Sequence, residues 1–167
     1  MSDSDGVRIL SLNTWLVPFA SEDRLRRRDE MVEAFRTMDP DVICLQEVWL
    51  LPDAVELTDQ LSDQLGHRVI GGGGLVLISR YPIDSWQFTP FDASGSYLAE
   101  SLAEKGVLDV TLMTPVGPLR VFNSHLVFER GSTSSAHDAQ LRQLIELVGQ
   151  ADETPTVLCA DLNMASL

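Results

Sequence analysis

Four apolar runs along the chain end in the same way, each passing from core-type residues to a polar group with free lone pairs. Residues 7–12 (VRILSL) lead into Asn13, 41–45 (DVICL) into Gln46 and Glu47, the VFNS run into His125, and 156–160 (TVLCA) into Asp161 and Asn163. Runs of this length bounded by polar residues predict short buried strands. A further strand is predicted over 75–79, and a hairpin pairs 106–113 with 118–123 through the turn at 115–118. Helical spacing recurs at Leu25, Met31, Val32, Phe35 and Met38 and ends at Asp39-Pro40, because proline disfavours helical geometry in the residue before it. A second helix is expected over 52–65, with Val55, Leu57, Leu61 and Leu65 as its apolar side, and a third over about 136–148.

Between these elements, the glycines at 71–74 predict a permissive turn or a close backbone approach. No Lys-Ser/Thr follows them, as a phosphate loop would require. Residues 85–104 read as irregular, and 131–135 as a Ser/Thr-rich loop. Strands and helices mix throughout, with a hairpin in the middle, no internal repeat and no long linker. The pattern implies one domain, residues 1–167, of α/β class with mixed sheets.

Composition narrows the setting. A chain of 167 residues is long enough for a real core, and no apolar run approaches the roughly 20 residues that span a bilayer. The acidic N-terminus lacks the basic and apolar regions of a secretory signal, so a cytoplasmic location is the expectation. Cys44 and Cys159 each lie inside an apolar run, without CxxC spacing, and read as buried free thiols rather than zinc ligands. The formal charge is −13, and Arg supplies eleven of the twelve basic residues, Lys105 being the only lysine. Such a surface repels polyanions and argues against loose nucleic-acid binding. A salt-adapted proteome would give the same acidity.

Polar residues just past strand ends lie where ligands bind in open α/β folds. One such residue is more often a cap or a solvated end, but four in parallel contexts point to a shared site. Their types suit phosphoryl transfer, which needs Lewis-acid activation and electrostatic stabilisation. Glu47 is a hard oxygen ligand suited to Mg²⁺ or Mn²⁺. Asp161 can orient or deprotonate water, Asn13 and Asn163 can hold phosphate oxygens or orient Asp161, and His125 can donate to a phosphoryl oxygen. Lys105 reads equally as a point charge near phosphate or as a solvated loop residue. Arg80 reads first as a structural ion pair and second as a phosphate contact.

The succession NTW, DPDVICLQEVW, GGLVLISRYPI, KGVL, VFNSHL and CADLN resembles the endonuclease/exonuclease/phosphatase superfamily, in the family's order and over nearly the whole chain. NTW, QEVW and NSHL are most similar to its neutral sphingomyelinase and phospholipase-C-like branch. The resemblance implies a four-layer α/β sandwich, two mixed sheets flanked by helices, with the site at one edge between them. It also implies metal-site positions for Asn13 and Glu47, catalytic roles for His125, Asp161 and Asn163, and phosphate contacts for His125, Asn163 and Lys105. The expected cofactor is Mg²⁺ (or Mn²⁺). The expected substrate is a lipid headgroup or another small phosphodiester, attacked in line by water, with no protein partner implied.

One departure bears on activity. Family members continue through further strands to an Asp-His pair, whereas this sequence stops four residues after Asn163, so the resemblance implies a domain lacking its last strands. His67 and His137 do not occupy the missing position by motif. Two other readings follow: a nuclease using the same chemistry, and a catalytically silent fragment or binding module.

Overall fold

The structure, a computed structural model, describes residues 6–94, 104–128, 135–150 and 153–164. Two four-stranded sheets face one another. The first comprises β1 (Ile9–Leu16), β2 (Val42–Val48), β3 (His67–Ile70) and β4 (Val76–Ser79) in the order β1-β2-β4-β3. The second comprises β5 (Ile83–Pro90), β6 (Gly106–Thr114), β7 (Gly117–His125) and β8 (Thr156–Asp161) in sequence order. In the first sheet β1 and β2 are parallel and the other pairs antiparallel. In the second, β7 and β8 are parallel and the rest antiparallel. Both sheets are mixed, as expected.

The two-residue period of a strand explains the layers. On β2 and β4, Ile43, Leu45, Val76 and Ile78 face helices α1 (Arg24–Met38) and α2 (Leu51–Gln60), which contribute Val32, Phe35, Ala54 and Leu57. The alternate residues Val42, Cys44 and Leu77 turn the other way and pack against Leu108, Val110, Leu112, Val121 and Cys159 of the second sheet. On that sheet's outer side, Val107 and Phe122 pack against Leu144 of α3 (Ser135–Gly149). Helix, sheet, sheet and helix are therefore four layers with three apolar seams. Burial on both faces is why β2 reads as an unbroken apolar run.

Several boundaries differ from the sequence reading. β3 was not anticipated, and His67 begins it. Its four residues, HRVI, bury only Val69, too little to give a period. Residues 83–90, expected to be largely irregular, form β5, an edge strand whose mostly polar, exposed face and register shift between Ile83 and Ser85 hide its alternation. The rest of that irregular stretch, residues 95–103, and most of the Ser/Thr loop lie outside the described residues. The second helix ends at Gln60, and tight turns carry the chain to Leu65. It buries Ala54 where Val55 was expected, and also Asp53, which pairs with Arg24 and Arg28. On α1, Leu25 and Met38 are exposed instead of packed. The glycine tract behaves as expected: Gly73 and Gly74 take positive φ, and a Cβ on Gly72 would lie 2.3 Å from the Phe88 ring. Cys44 and Cys159 are free and buried between the sheets.

Candidate active site

The parallel strands β1 and β2 end beside the parallel strands β7 and β8, and the inter-sheet faces of these strands carry their side chains to a common rim. Asn13 is the register partner of Gln46, and His125 that of Asp161. Asn123 and His125 share one face, as do Cys159 and Asp161, so the polar rim continues the apolar seam. Strict alternation would aim Glu47 at the helices. Its left-handed backbone (φ 61°) and the bulge between Asn13 and Leu16 (Trp15 φ 48°) change that direction. Asn163 is left-handed as well (φ 47°). Strained non-glycine residues in such numbers at one rim are a mark of functional sites.

Hydrogen bonds join the two sheets across this rim. Asn13 Nδ2 donates to Glu47 Oε1 at 2.9 Å and to Asp161 Oδ2 at 2.7 Å, while its Oδ1 accepts from the Trp15 amide at 2.9 Å. Asp161 Oδ1 accepts from the Asn163 backbone N–H at 3.1 Å. The Asn163 side-chain amide donates to the Leu126 carbonyl and lies 2.9 Å from His125 Nε2. Lys105 Nζ donates to the same carbonyl at 2.8 Å and lies 3.2 Å from the same ring nitrogen. All six residues singled out in the sequence thus form one cluster. Lys105 is buried within it, which removes its reading as a solvated loop lysine. Arg80 does not join them: it pairs with Asp39 (2.7 Å) and Asp41 (3.0 Å), as its structural reading held.

The electrostatics follow from these contacts. Two donors, an ammonium and an amide, face His125 Nε2, an arrangement in which this nitrogen accepts, while Nδ1 is buried without a hydrogen-bond partner. Burial, with the Lys105 charge adding to it, pushes the imidazole down to about 4 against an upward pull from Asp161. In this arrangement His125 offers a lone pair, and the donors available to a phosphoryl oxygen are Lys105 and Asn163. For Asp161, burial acts to raise the pKa. The Asn13 amide and the Asn163 backbone N–H outweigh it and hold the carboxyl below its ordinary value, ionised at neutral pH.

The residues at the rim also fit a hard divalent cation. Glu47 Oε2 is buried and has no hydrogen-bond partner, so its lone pairs are unclaimed. Leaving a carboxylate oxygen in that state is costly unless something positive completes it. Among the described residues no three His, Cys, Asp or Glu side chains converge as ligands.

Three supporting residues had no role in the sequence reading. Gln46 Nε2 donates to Asn123 Oδ1 at 2.7 Å, and Asn123 Nδ2 donates to the carbonyls of Leu45 (3.0 Å) and Val76 (3.1 Å), a clasp between sheets directly beneath the site. Their signal was a polar residue at a buried strand position, which must find a partner. His137 lies 2.8 Å from the Leu162 carbonyl and supports the segment between Asp161 and Asn163 from α3.

Comparison with known proteins agrees with the fold. Over 130 residues the chain is 30% identical to the inositol phosphosphingolipids phospholipase C of Schizosaccharomyces pombe, covering 72% of this chain and 31% of that protein. The chain spans about a third of the length of the curated relatives it matches. Sphingomyelinase C from Streptomyces griseocarneus superposes with a TM-score of 0.78 at 21% identity, over 95% of this chain and 64% of that one. A Staphylococcus aureus beta toxin variant, solved with bound magnesium ions, gives 0.81 at 14% identity, over 95% and 65%. The sequence profile of the Endonuclease/Exonuclease/phosphatase family matches residues 10–166, and the chain belongs to that family.

Proposed function

We propose that this rim is the active site of a divalent-metal-dependent phosphoester hydrolase, a phosphodiesterase acting on a lipid headgroup or a small phosphodiester by in-line attack of water. One observation carries the reading: a depressed carboxylate (Asp161), a carboxylate with an unclaimed buried oxygen (Glu47) and two cationic or amide donors (Lys105, Asn163) lie around one histidine at the junction of two sheets. A phosphoester needs those parts together, because the protein contributes mainly positioning and charge stabilisation.

Glu47 and Asn13 are the residues that would hold Mg²⁺ (or Mn²⁺), which when bound supplies Lewis-acid polarisation of the phosphoryl group. Asp161, ionised, orients the attacking water and accepts its proton. Asn13 fixes that carboxylate by the 2.7 Å bond. Lys105 and Asn163 turn their N–H groups from His125 to the phosphoryl oxygens, and His125, neutral at pH 7, positions these two donors through Nε2. The lipid-headgroup preference is supported by the relative named as a phosphosphingolipid phospholipase C and by the charge of −13, which disfavours a polyanionic nucleic acid.

The test is a substrate panel with Mg²⁺: a choline or inositol lipid phosphodiester, bis(p-nitrophenyl) phosphate, and supercoiled plasmid. Hydrolysis of the first two, reduced about 10²–10³-fold by Asp161→Asn, is the expected result. Plasmid nicking as the main activity would replace the lipid reading with a nuclease. Activity undiminished in Asp161→Asn, or no hydrolysis of any substrate by a folded protein, would refute the assignment.

A further inference from the structure

We infer that Cys44 and Cys159 are a redox pair, which a peroxide joins into a disulfide that staples the two sheets together beneath the rim. The inference is independent of the reaction proposed above. These are the chain's only two cysteines, and both turn into the seam between the sheets, Cys44 from β2 and Cys159 from β8. One buried thiol is ordinary core material. Two that come from opposite sheets, far apart in sequence, and hydrogen-bond one another are the reactants of a disulfide.

The strand registers fix where the pair lies. Cys44 is the partner of Ser11 on β1, and Cys159 that of Asn123 on β7. Two residues further along the same faces come Asn13 and Asp161, so the thiols sit one pleat below the bond that joins those two. Facing sheets stack about 10 Å apart, yet antibody-type sandwiches bridge such a gap with a disulfide. Here β2 and β8 come within 8 Å, Cα to Cα, and a disulfide takes about 4.4–6.8 Å. Among the described residues β8 pairs on one side only, with β7, so it can shift toward β2 with no ladder on its other side to break. Nor does a third His, Cys, Asp or Glu converge on the pair among the described residues, which sets aside a four-ligand zinc site.

The two thiols differ as attacker and resolving partner should. Their hydrogen bond raises the Cys44 thiol well above its ordinary value, and burial adds to it. At Cys159 the same bond, with another from Ser11, outweighs burial and lowers the thiol. Cys159 is also the more open of the two, 6% exposed against 0%. Its thiolate attacks one peroxide oxygen: the O–O bond breaks, a sulfenic acid forms, and the departing hydroxide takes up the Cys159 proton as water. The Cys44 sulfur then attacks the sulfenic sulfur. The S–S bond forms, the S–O bond breaks, and hydroxide leaves with the Cys44 proton as a second water. The two sulfurs lose two electrons and the peroxide gains them. The new bond closes a loop of more than half the chain, and it stabilises chiefly by restricting the unfolded state.

Non-reducing peptide mapping and thermal melting of the folded chain, before and after a modest excess of hydrogen peroxide, test the inference. The expected product is a monomer lighter by two hydrogens, with no thiol open to iodoacetamide in denaturant and the Cys44 and Cys159 peptides linked. Its melting temperature is expected to rise by about 5 °C or more and to fall back when dithiothreitol is added. Cys44→Ala and Cys159→Ala are expected to show no such rise, and the wild-type linkage map decides even where a variant fails to fold. Thiols still alkylated after peroxide, Cys159 stopped at a sulfinic acid beside a free Cys44, or linkage only between chains would each overturn the inference. So would linkage that forms only in urea, a linked protein that melts no higher than the reduced one, or an equal rise in either variant.

Discussion

His125 is held neutral by its surroundings, and that has a consequence for stability. Its pKa falls from 6.5 to about 4, through burial first and the Lys105 charge second. Between those values the unfolded chain binds more protons than the folded one, so stability rises with pH there. The contribution is complete above 6.5 and is lost as the pH falls toward 4, at most about 3 kcal/mol. Urea unfolding of metal-free protein in chelator is expected to show this slope and His125→Gln to flatten it; an identical slope in the variant would place the proton uptake elsewhere. Lys105→Met removes the second cause, so an NMR titration should move the His125 pKa upward but leave it below 6.5, because burial remains. No movement would mean that the 3.2 Å contact carries no charge coupling.

At the scale of elements, what holds the rim together is the Gln46–Asn123 clasp between β2 and β7. Asn123→Leu leaves the Gln46 amide only its 3.3 Å bond to Ser11 Oγ and removes the Asn123 amide from the Leu45 and Val76 carbonyls, and buried groups that lose a partner cost about 1–3 kcal/mol each. The substitution is expected to destabilise by about 2–4 kcal/mol, and Gln46→Leu to add much less on top of it; full additivity would show the clasp is not one unit. Strands buried on both faces, such as β2, were legible in the sequence because their apolar runs are continuous, and the polar residues at their tips were legible because they interrupt that run. β3 and β5 were not, since an edge strand with one solvated face leaves little hydrophobic pattern. Nor could the sequence give the direction of Glu47, which depends on a left-handed φ that no side chain signals. The burial of Lys105 depends on the fold bringing β6 beside the segment after β7, a contact without local signature.

For the whole molecule, two sheets with mixed strand directions place four strand ends at one pole, and the site exists only when both sheets are docked. A net charge of −13 opposes that docking through self-repulsion. Screening it with 0.5 M NaCl is expected to raise the melting temperature, and a fall would show that the surface ion pairs outweigh the repulsion. The proposed chemistry at the pole turns on Glu47, whose buried, unpartnered oxygen is the reason to assign a metal there. The most direct measurement is the initial rate of bis(p-nitrophenyl) phosphate hydrolysis against Mg²⁺ concentration for wild type and Glu47→Gln. Wild type is expected to show saturable activation from a negligible metal-free rate, with the variant needing far more Mg²⁺ or failing to respond. A metal-independent rate, or superimposable curves for the two proteins, would contradict the account.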